Sequence, residues 1–231
     1  MNDLTILYYT ANEEPEYFLK NTQRVLLDAI GDTPIVSVSF KPMDFGTNIC
    51  VGEGGRSNYK LYKQVLIAAQ AAKTEFVATA EDDMLYHPSH FTYRPEGDTF
   101  AYNVNKWSIF SWTKPPVFSY RVRKLMSSLI VRRDALVKNL TERYEKYPVF
   151  EDIPTDIFKL YWGEPGRFEN HLGIPTVKTE EFKSEYPNIM FSTGEALGFL
   201  SLGTRKAHSD TKSYKVEPWG TAEDVLKYYR A

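Results

Sequence analysis

Strand-like and helix-like apolar patterns alternate through the first ninety or so residues, and this alternation restricts the chain to a small set of layered folds. Leu4 to Thr10 is a short apolar run of strand type. Pro15 to Ala29 places Phe18, Val25, Leu26 and Ala29 at helical spacing, and Gly31 closes it. Pro34 to Phe40, "PIVSVSF", is a second strand. The glycine-rich loop "GEGGRSN" leads at Ser57 into a helix running to about Ala72, and Phe76 to Ala80 is a third strand. Strand, helix, strand, helix, strand predicts a mostly parallel sheet covered by helices. Ligands of such sheets sit at the carboxyl ends of the strands, so "YYTANEE", "SFKPMD" and "EDDMLYHP" are expected to share one rim.

The last of these segments is chemically the most demanding. Three consecutive acids, Glu81, Asp82 and Asp83, follow a buried apolar strand. Carboxylates there repel one another and lose hydration, so a positive partner is expected, and a hard divalent cation suits oxygen ligands. Residues two apart share one side of a strand end, which lets Glu81 and Asp83 face one pocket while Asp82 turns away or meets a ribose. An acidic turn in solvent is the plain alternative.

Beyond residue 99 the pattern is less regular. Phe100 to Trp112 alternates like an exposed-edge strand, Leu125 to Val131 offers another, and Asp134 to Tyr147 reads as a basic helix. A short helix is predicted at Pro154 to Tyr161 and a last one at Thr221 to Tyr229. No repeat or low-complexity tract divides the chain, so one unit with two functional halves is expected.

Bulk properties exclude several classes. No apolar run approaches the roughly 20 residues of a membrane span. The start, "MNDLTILYYTANEE", is not expected to be a signal peptide, having no basic stretch and no small-residue cleavage site. A single cysteine, Cys50, excludes an internal disulfide and a cysteine-rich zinc site, and a reducing, cytoplasmic location is the expectation. A net charge of −2 gives no general drive toward nucleic acid.

The order of these segments resembles GT-A type glycosyltransferases of the family 2 kind. The likeness runs from about residue 4 to 138 through the loop and helix "GEGGRSNYKLYKQVLIAAQAAKTEFVATAEDD" and the later "SSLIVRRDAL". The family's acidic DXD motif reads here Glu81-Asp82-Asp83, with Glu where Asp is commoner at the first position. The resemblance implies a GT-A-like, Rossmann-type α/β sandwich. It also implies a nucleoside-diphosphate sugar as donor (a UDP-sugar first) and Mn²⁺ or Mg²⁺ held by Glu81 and Asp83. Residues 1–98 would form the nucleotide-sugar half and 99–231 the acceptor half. A late histidine, His208 in "GTRKAHSD", would complete the metal shell, although most lone histidines are not ligands.

Further candidates follow from residue chemistry. Tyr9 is expected to stack on a base, with Thr10 and Asn12 bonding ribose or base edges, and Asn12 serves equally as a helix cap. Arg56 is a candidate for the diphosphate, beside the helix start capped by Ser57, although a turn plus cap explains both residues too. A catalytic base, where one is needed, is sought among Glu151, Asp152 and Glu195. Residues 114 to 146 hold nine Lys/Arg against three acids. A solvated helix face is the favoured explanation; the sharper one is a phosphate-rich acceptor such as hydroxymethylated phage DNA, touched by Arg121, Arg123, Lys124, Arg132 and Arg133. Rival classes are a nucleotidyltransferase, which would usually carry a glycine-rich loop with a lysine after the first strand, and a non-catalytic nucleotide-binding module.

Overall fold

The structure is a computed structural model that describes residues 3–52, 54–198 and 211–230. The elements in chain order open with β1 (Leu4–Thr10), α1 (Glu16–Ile30), β2 (Ile35–Ser39), β3 (Thr47–Cys50), α2 (Asn58–Ala71) and β4 (Phe76–Glu81). There follow β5 (Met84–Leu85), β6 (Phe100–Asn103), β7 (Lys106–Phe110), β8 (Val117–Tyr120), β9 (Leu129–Arg132) and α3 (Arg133–Lys146). The chain continues through α4 (Thr155–Tyr161), α5 (Glu169–Leu172), β10 (Thr179–Phe182), β11 (Asn188–Phe191) and α6 (Thr193–Ala196). It ends in β12 (Thr211–Ser213), β13 (Lys215–Val216), β14 (Gly220–Thr221) and α7 (Ala222–Tyr229).

The architecture is mixed α/β, with a large central sheet flanked by helices. Seven strands run in the order β10-β6-β9-β4-β1-β2-β3, and all but β9 point the same way. Alternation along β1 explains the two layers. Leu7 and Tyr9 face α2 and α3, packing with Val65, Leu66 and Leu136, whereas Ile6 and Tyr8 join Leu26 and Ile30 of α1 on the other face. A second sheet, β12-β8-β7-β11-β5, packs with α1 and α7 through Phe18, Ile109, Phe191 and Leu226. No helix among the described residues is long and apolar enough to cross a membrane.

The predicted helix from Ser57 begins as expected: the Ser57 side chain accepts from the Lys60 backbone N–H. One expectation fails. Phe100 to Trp112 is no exposed-edge strand; it breaks after Asn103 into β6, inside the large sheet, and β7, inside the second sheet. Asn103, wholly buried, makes the break: its Oδ1 accepts from the Asn105 N–H at 2.9 Å and its Nδ2 donates to Ser184 Oγ at 2.8 Å. Asn103, polar and of solvent-facing type in the sequence, is thus satisfied inside. The short strand β3 was also not anticipated.

Gln64 ties the sheet's carboxyl rim to α2. Its Nε2, on a 4 % exposed side chain, donates to the Thr10 carbonyl at 2.8 Å and the Val38 carbonyl at 3.1 Å, fastening the ends of β1 and β2. Gln64→Leu would strand both carbonyls, and a loss of about 1–3 kcal/mol in unfolding free energy is expected, measured by denaturant titration with an unchanged slope.

Candidate active site

Register places the acids. β1 and β4 are parallel neighbours with Tyr9 opposite Glu81, so the end of β1 runs alongside the three carboxylates. Thr10, one residue on, donates its hydroxyl to Asp82 Oδ2 at 2.5 Å. The Tyr86 hydroxyl accepts from the Glu81 N–H at 3.0 Å and donates to the Ser127 carbonyl at 2.9 Å, which pins the turn after β4 to the segment before β9. The carboxylates open into a cleft of about 360 Å³. Tyr9, Thr10 and the three acids form one wall, and Arg56, Ser57 and Asn58 at the start of α2 form the other. Seven residues singled out from the sequence therefore meet in one cleft.

The electrostatics are those of an acidic cluster only partly compensated by positive charge. Burial lifts Asp82 to about 7 against the lowering hydrogen bond from Thr10, and the Glu81 charge adds to the rise. Burial, then the negative charges of Glu81 and Asp82, push Asp83 well above the usual carboxylate range. Glu81 is raised by burial, while the nearby Tyr9 and Ser127 hydroxyls pull it down. Asp83 Oδ1 is buried without a hydrogen-bond partner. Among the described residues no lysine or arginine forms an ion pair with these acids, and Arg56 instead lies 3.6 Å from both Glu13 and Glu14.

A divalent ion fits this donor set. Two hard oxygen donors, Glu81 and Asp83, stand at one strand end, and one of their oxygens lacks any protein partner. Among the described residues no three His, Cys, Asp or Glu side chains converge closely enough to hold an ion by themselves. Mg²⁺-type sites with one or two carboxylates, completed by phosphate and water, match that count. His208 lies outside the described residues.

Other expectations shift. Tyr9 borders the cleft but is only 3 % exposed, with its side chain packed in the core beside Tyr62 and Leu66, so it offers a base little surface. Asn12 does not cap α1, where Pro15 takes the cap position. Its Oδ1 accepts from the Lys41 N–H at 2.9 Å, and its φ of 54° turns the chain out of β1. Glu151 and Asp152 sit exposed on a short turn and do not line the acidic cleft; Glu151 borders a neighbouring hollow beside Arg56 and Lys60. Glu195 lies on α6, and its side chain is outside the described set.

The basic segment is split by β9. Arg132 pairs in register with Phe76, at the opposite end of β4 from the acids, about 17 Å away at strand rise. It contacts Glu75 at 2.6 Å, and Arg133 contacts Asp134 at 2.6 Å and donates to the Ala72 carbonyl at 2.9 Å. Both lie at the rim away from the acid cleft. Lys124 donates to Thr179 Oγ1 at 2.9 Å, and Arg121 is exposed. Arg123 remains on the acid side, where its charge acts on Lys106.

Two site residues escaped the sequence reading. Lys106 is 3 % exposed, its Nζ has no hydrogen-bond partner, and burial and Arg123 lower it to about 8 while Glu81 and Asp83 act to raise it. Glu14 accepts from the Thr193 hydroxyl at 2.8 Å and adds negative charge near Asp82 and Asp83. Both are brought in by contacts distant in sequence, and no local motif marks them.

No protein-family model matches the sequence, and no curated protein is similar to it. Solved structures with loosely similar layering exist. One is a glycosyltransferase involved in the glycosylation of the major capsid of PBCV-1, at 13 % identity and a TM-score of 0.42, covering 78 % of this chain and 81 % of that one. Another is Staphylococcus aureus TarS 1–349 in complex with UDP-GlcNAc, at 11 % identity and a TM-score of 0.42, covering 82 % of this chain and 58 % of that one. A third is the 2-C-methyl-D-erythritol 4-phosphate cytidylyltransferase of Thermus thermophilus, at 13 % identity and a TM-score of 0.44, covering 79 % of this chain and 89 % of that one. Likenesses this loose leave the assignment to the geometry of the cleft.

The raised carboxyls set a pH dependence. In the unfolded chain such groups lose their protons near pH 4, whereas the folded cluster keeps them higher, with Asp82 near 7. The folded state binds more protons over that interval, so metal-free stability falls as pH rises from about 4 to 7. In chelator the melting temperature should drop between pH 5 and 8, and Asp82→Asn should flatten the drop. An equally steep drop in that variant would place the titrating group elsewhere.

Proposed function

We propose that the cleft binds a nucleoside-diphosphate sugar, a UDP-sugar first, through a divalent ion held by Glu81 and Asp83, and that the chain transfers the sugar to an acceptor hydroxyl. The observation that carries this reading is the triple carboxylate, Asp82 buried and Glu81 and Asp83 half-buried, unpaired with any cation among the described residues, at the carboxyl end of a central parallel strand. A bound Mn²⁺ or Mg²⁺ neutralises charge on the departing diphosphate.

The chain's own residues do the rest. Thr10 fixes Asp82 by its short hydrogen bond and leaves Glu81 and Asp83 to the ion. Across the cleft, the first-turn N–H groups of α2, at Asn58 and Tyr59, favour phosphate oxygens. Arg56 trades two loose contacts with Glu13 and Glu14 for the denser charge of a diphosphate. Phe40 and Leu61, also in the cleft wall, supply apolar surface for the base in place of Tyr9. Lys106, buried without a partner and close enough for Glu81 and Asp83 to act on it, offsets part of the cluster's charge before the ion arrives. Glu195 is the base candidate whose segment reaches the site, since Thr193 two residues earlier bonds Glu14. A nucleic-acid acceptor draws no support from Arg132 and Arg133, which are engaged at the far rim.

UDP with Mn²⁺ should raise the melting temperature. At concentrations a hundredfold above Kd the gain is about 2.7 kcal/mol, or roughly 5–10 °C for a chain of this size. Asp83→Ala should abolish the shift and, relieved of a repelling carboxylate, melt no lower than wild type in chelator. Release of UDP from UDP-sugars then separates glycosyl transfer from nucleotidyl transfer, which would instead release pyrophosphate from a nucleoside triphosphate. Retention of the full Mn²⁺-dependent shift in Asp83→Ala would refute the site.

A further inference from the structure

The segment between α4 and α5 brings to the acid rim a carboxylate that the cleft wall does not include. α3 ends beside the start of α2, where the Tyr144 hydroxyl donates to the Tyr59 carbonyl at 2.5 Å. From there Arg143 Nη1 donates to the Gly163 carbonyl at 2.8 Å, and its guanidinium lies 5.2 Å from the ring centre of Tyr62, which shares the core cluster of Tyr9. Two residues on, the Pro165 carbonyl accepts from the Tyr102 hydroxyl at 2.7 Å. Tyr102 is near the carboxyl end of β6, which runs parallel to β4 and so ends at the rim of Glu81. Glu164 is thus fastened on both sides, between α3 and β6, at that rim. The electrostatics agree, since the charges of Glu81 and Glu164 both act on Tyr62 and on Lys106.

The turn that carries Glu164 is tightly built. Glu164-Pro165-Gly166-Arg167 closes with the Arg167 N–H donating to the Glu164 carbonyl at 3.2 Å, and proline second with glycine third is the pattern of a type II turn. Gly166 has a φ of 86°, and a Cβ there would lie 1.8 Å from Thr179 Cγ2, so glycine is required twice over. Its N–H also donates to Glu169 Oε1 at 2.6 Å. The Glu164 side chain is 14 % exposed. Oε2 meets Arg167 Nη1 at 3.3 Å, which leaves Oε1 without a hydrogen-bond partner among the described residues.

We infer that Glu164 is the base of the sugar transfer, an assignment that rests on the nucleotide-sugar reading of the acid cleft. Its Oε1 takes the proton of the acceptor hydroxyl as the acceptor oxygen bonds the anomeric carbon. The bond from that carbon to the diphosphate oxygen breaks, and its electron pair leaves on the nucleoside diphosphate. Attack from the face opposite the leaving group inverts the configuration of the sugar.

The test uses the whole chain with Mn²⁺ and UDP-glucose, UDP-galactose or UDP-GlcNAc, water serving as the acceptor. Wild type should release UDP from at least one of them, and NMR should show the β-anomer of the sugar released first. Glu164→Gln should keep the rise in melting temperature given by Mn²⁺ and UDP, yet release UDP at least about a hundredfold more slowly. Azide, a nucleophile with no proton to lose, should revive Glu164→Ala, giving the β-glycosyl azide, and should not revive Asp83→Ala. The inference is overturned if the loss in Glu164→Gln is smaller, if azide gives no glycosyl azide with Glu164→Ala, or if wild type releases the α-anomer first or no UDP. A loss confined to Glu195→Gln would give the proton to that residue and overturn it equally. A wild type with no Mn²⁺–UDP shift would refute the donor reading and this assignment with it, whereas failure of the base alone leaves that shift in place.

Discussion

Three carboxylates at the end of one buried strand, with no cation paired to them among the described residues, are the constraint around which the rest of the site is arranged. Desolvation raises all three, repulsion between the carboxylates adds to the rise at Asp82 and Asp83, and the surroundings only partly answer that strain. Thr10 gives a hydrogen bond, and Lys106 and Arg56 give positive charge at a distance. A fold selected for stability alone would not keep this cluster. Its persistence in a cleft bounded by a helix start and an arginine is what makes a cation and an anionic ligand the natural completion.

The sheet turns this chemistry into a place. Because β1 to β4 are parallel, the ends of β1, β2 and β4 converge, and the Tyr9–Glu81 register brings the β1 turn against the acids. Gln64 then locks α2 onto the same rim, so the loop bearing Arg56 stands opposite the carboxylates. The antiparallel strand β9 has the reverse effect on the basic segment. It carries the chain from Ser127, beside Glu81, to Arg132, beside Phe76, and so divides one run of positive residues between two rims.

What could be read from the sequence was local. β1, α1, β2, α2 and β4 follow from apolar periodicity and from the Ser57 cap, and the acids stand out because charge after a buried strand needs a partner. What could not be read depended on distant contacts. Glu14 is tied to the site by Thr193, 179 residues away. Asn103 and Lys106 look like the polar side of an edge strand, yet both are buried, the first by bonding Ser184, the second among the charges of the cleft. Tyr9 looked available to a base, but alternation along β1 sends its ring into the core with Leu7.

The central claim is that Glu81 and Asp83 hold a divalent ion on a nucleoside diphosphate. Its most direct test is an anomalous difference map from crystals grown with Mn²⁺ and UDP. The account predicts one manganese peak within about 2.0–2.6 Å of carboxylate oxygens of both residues, with diphosphate oxygens completing the shell toward Arg56 and the start of α2. Diphosphate bound in the cleft with no metal peak, or manganese bound away from Glu81 and Asp83, would contradict it.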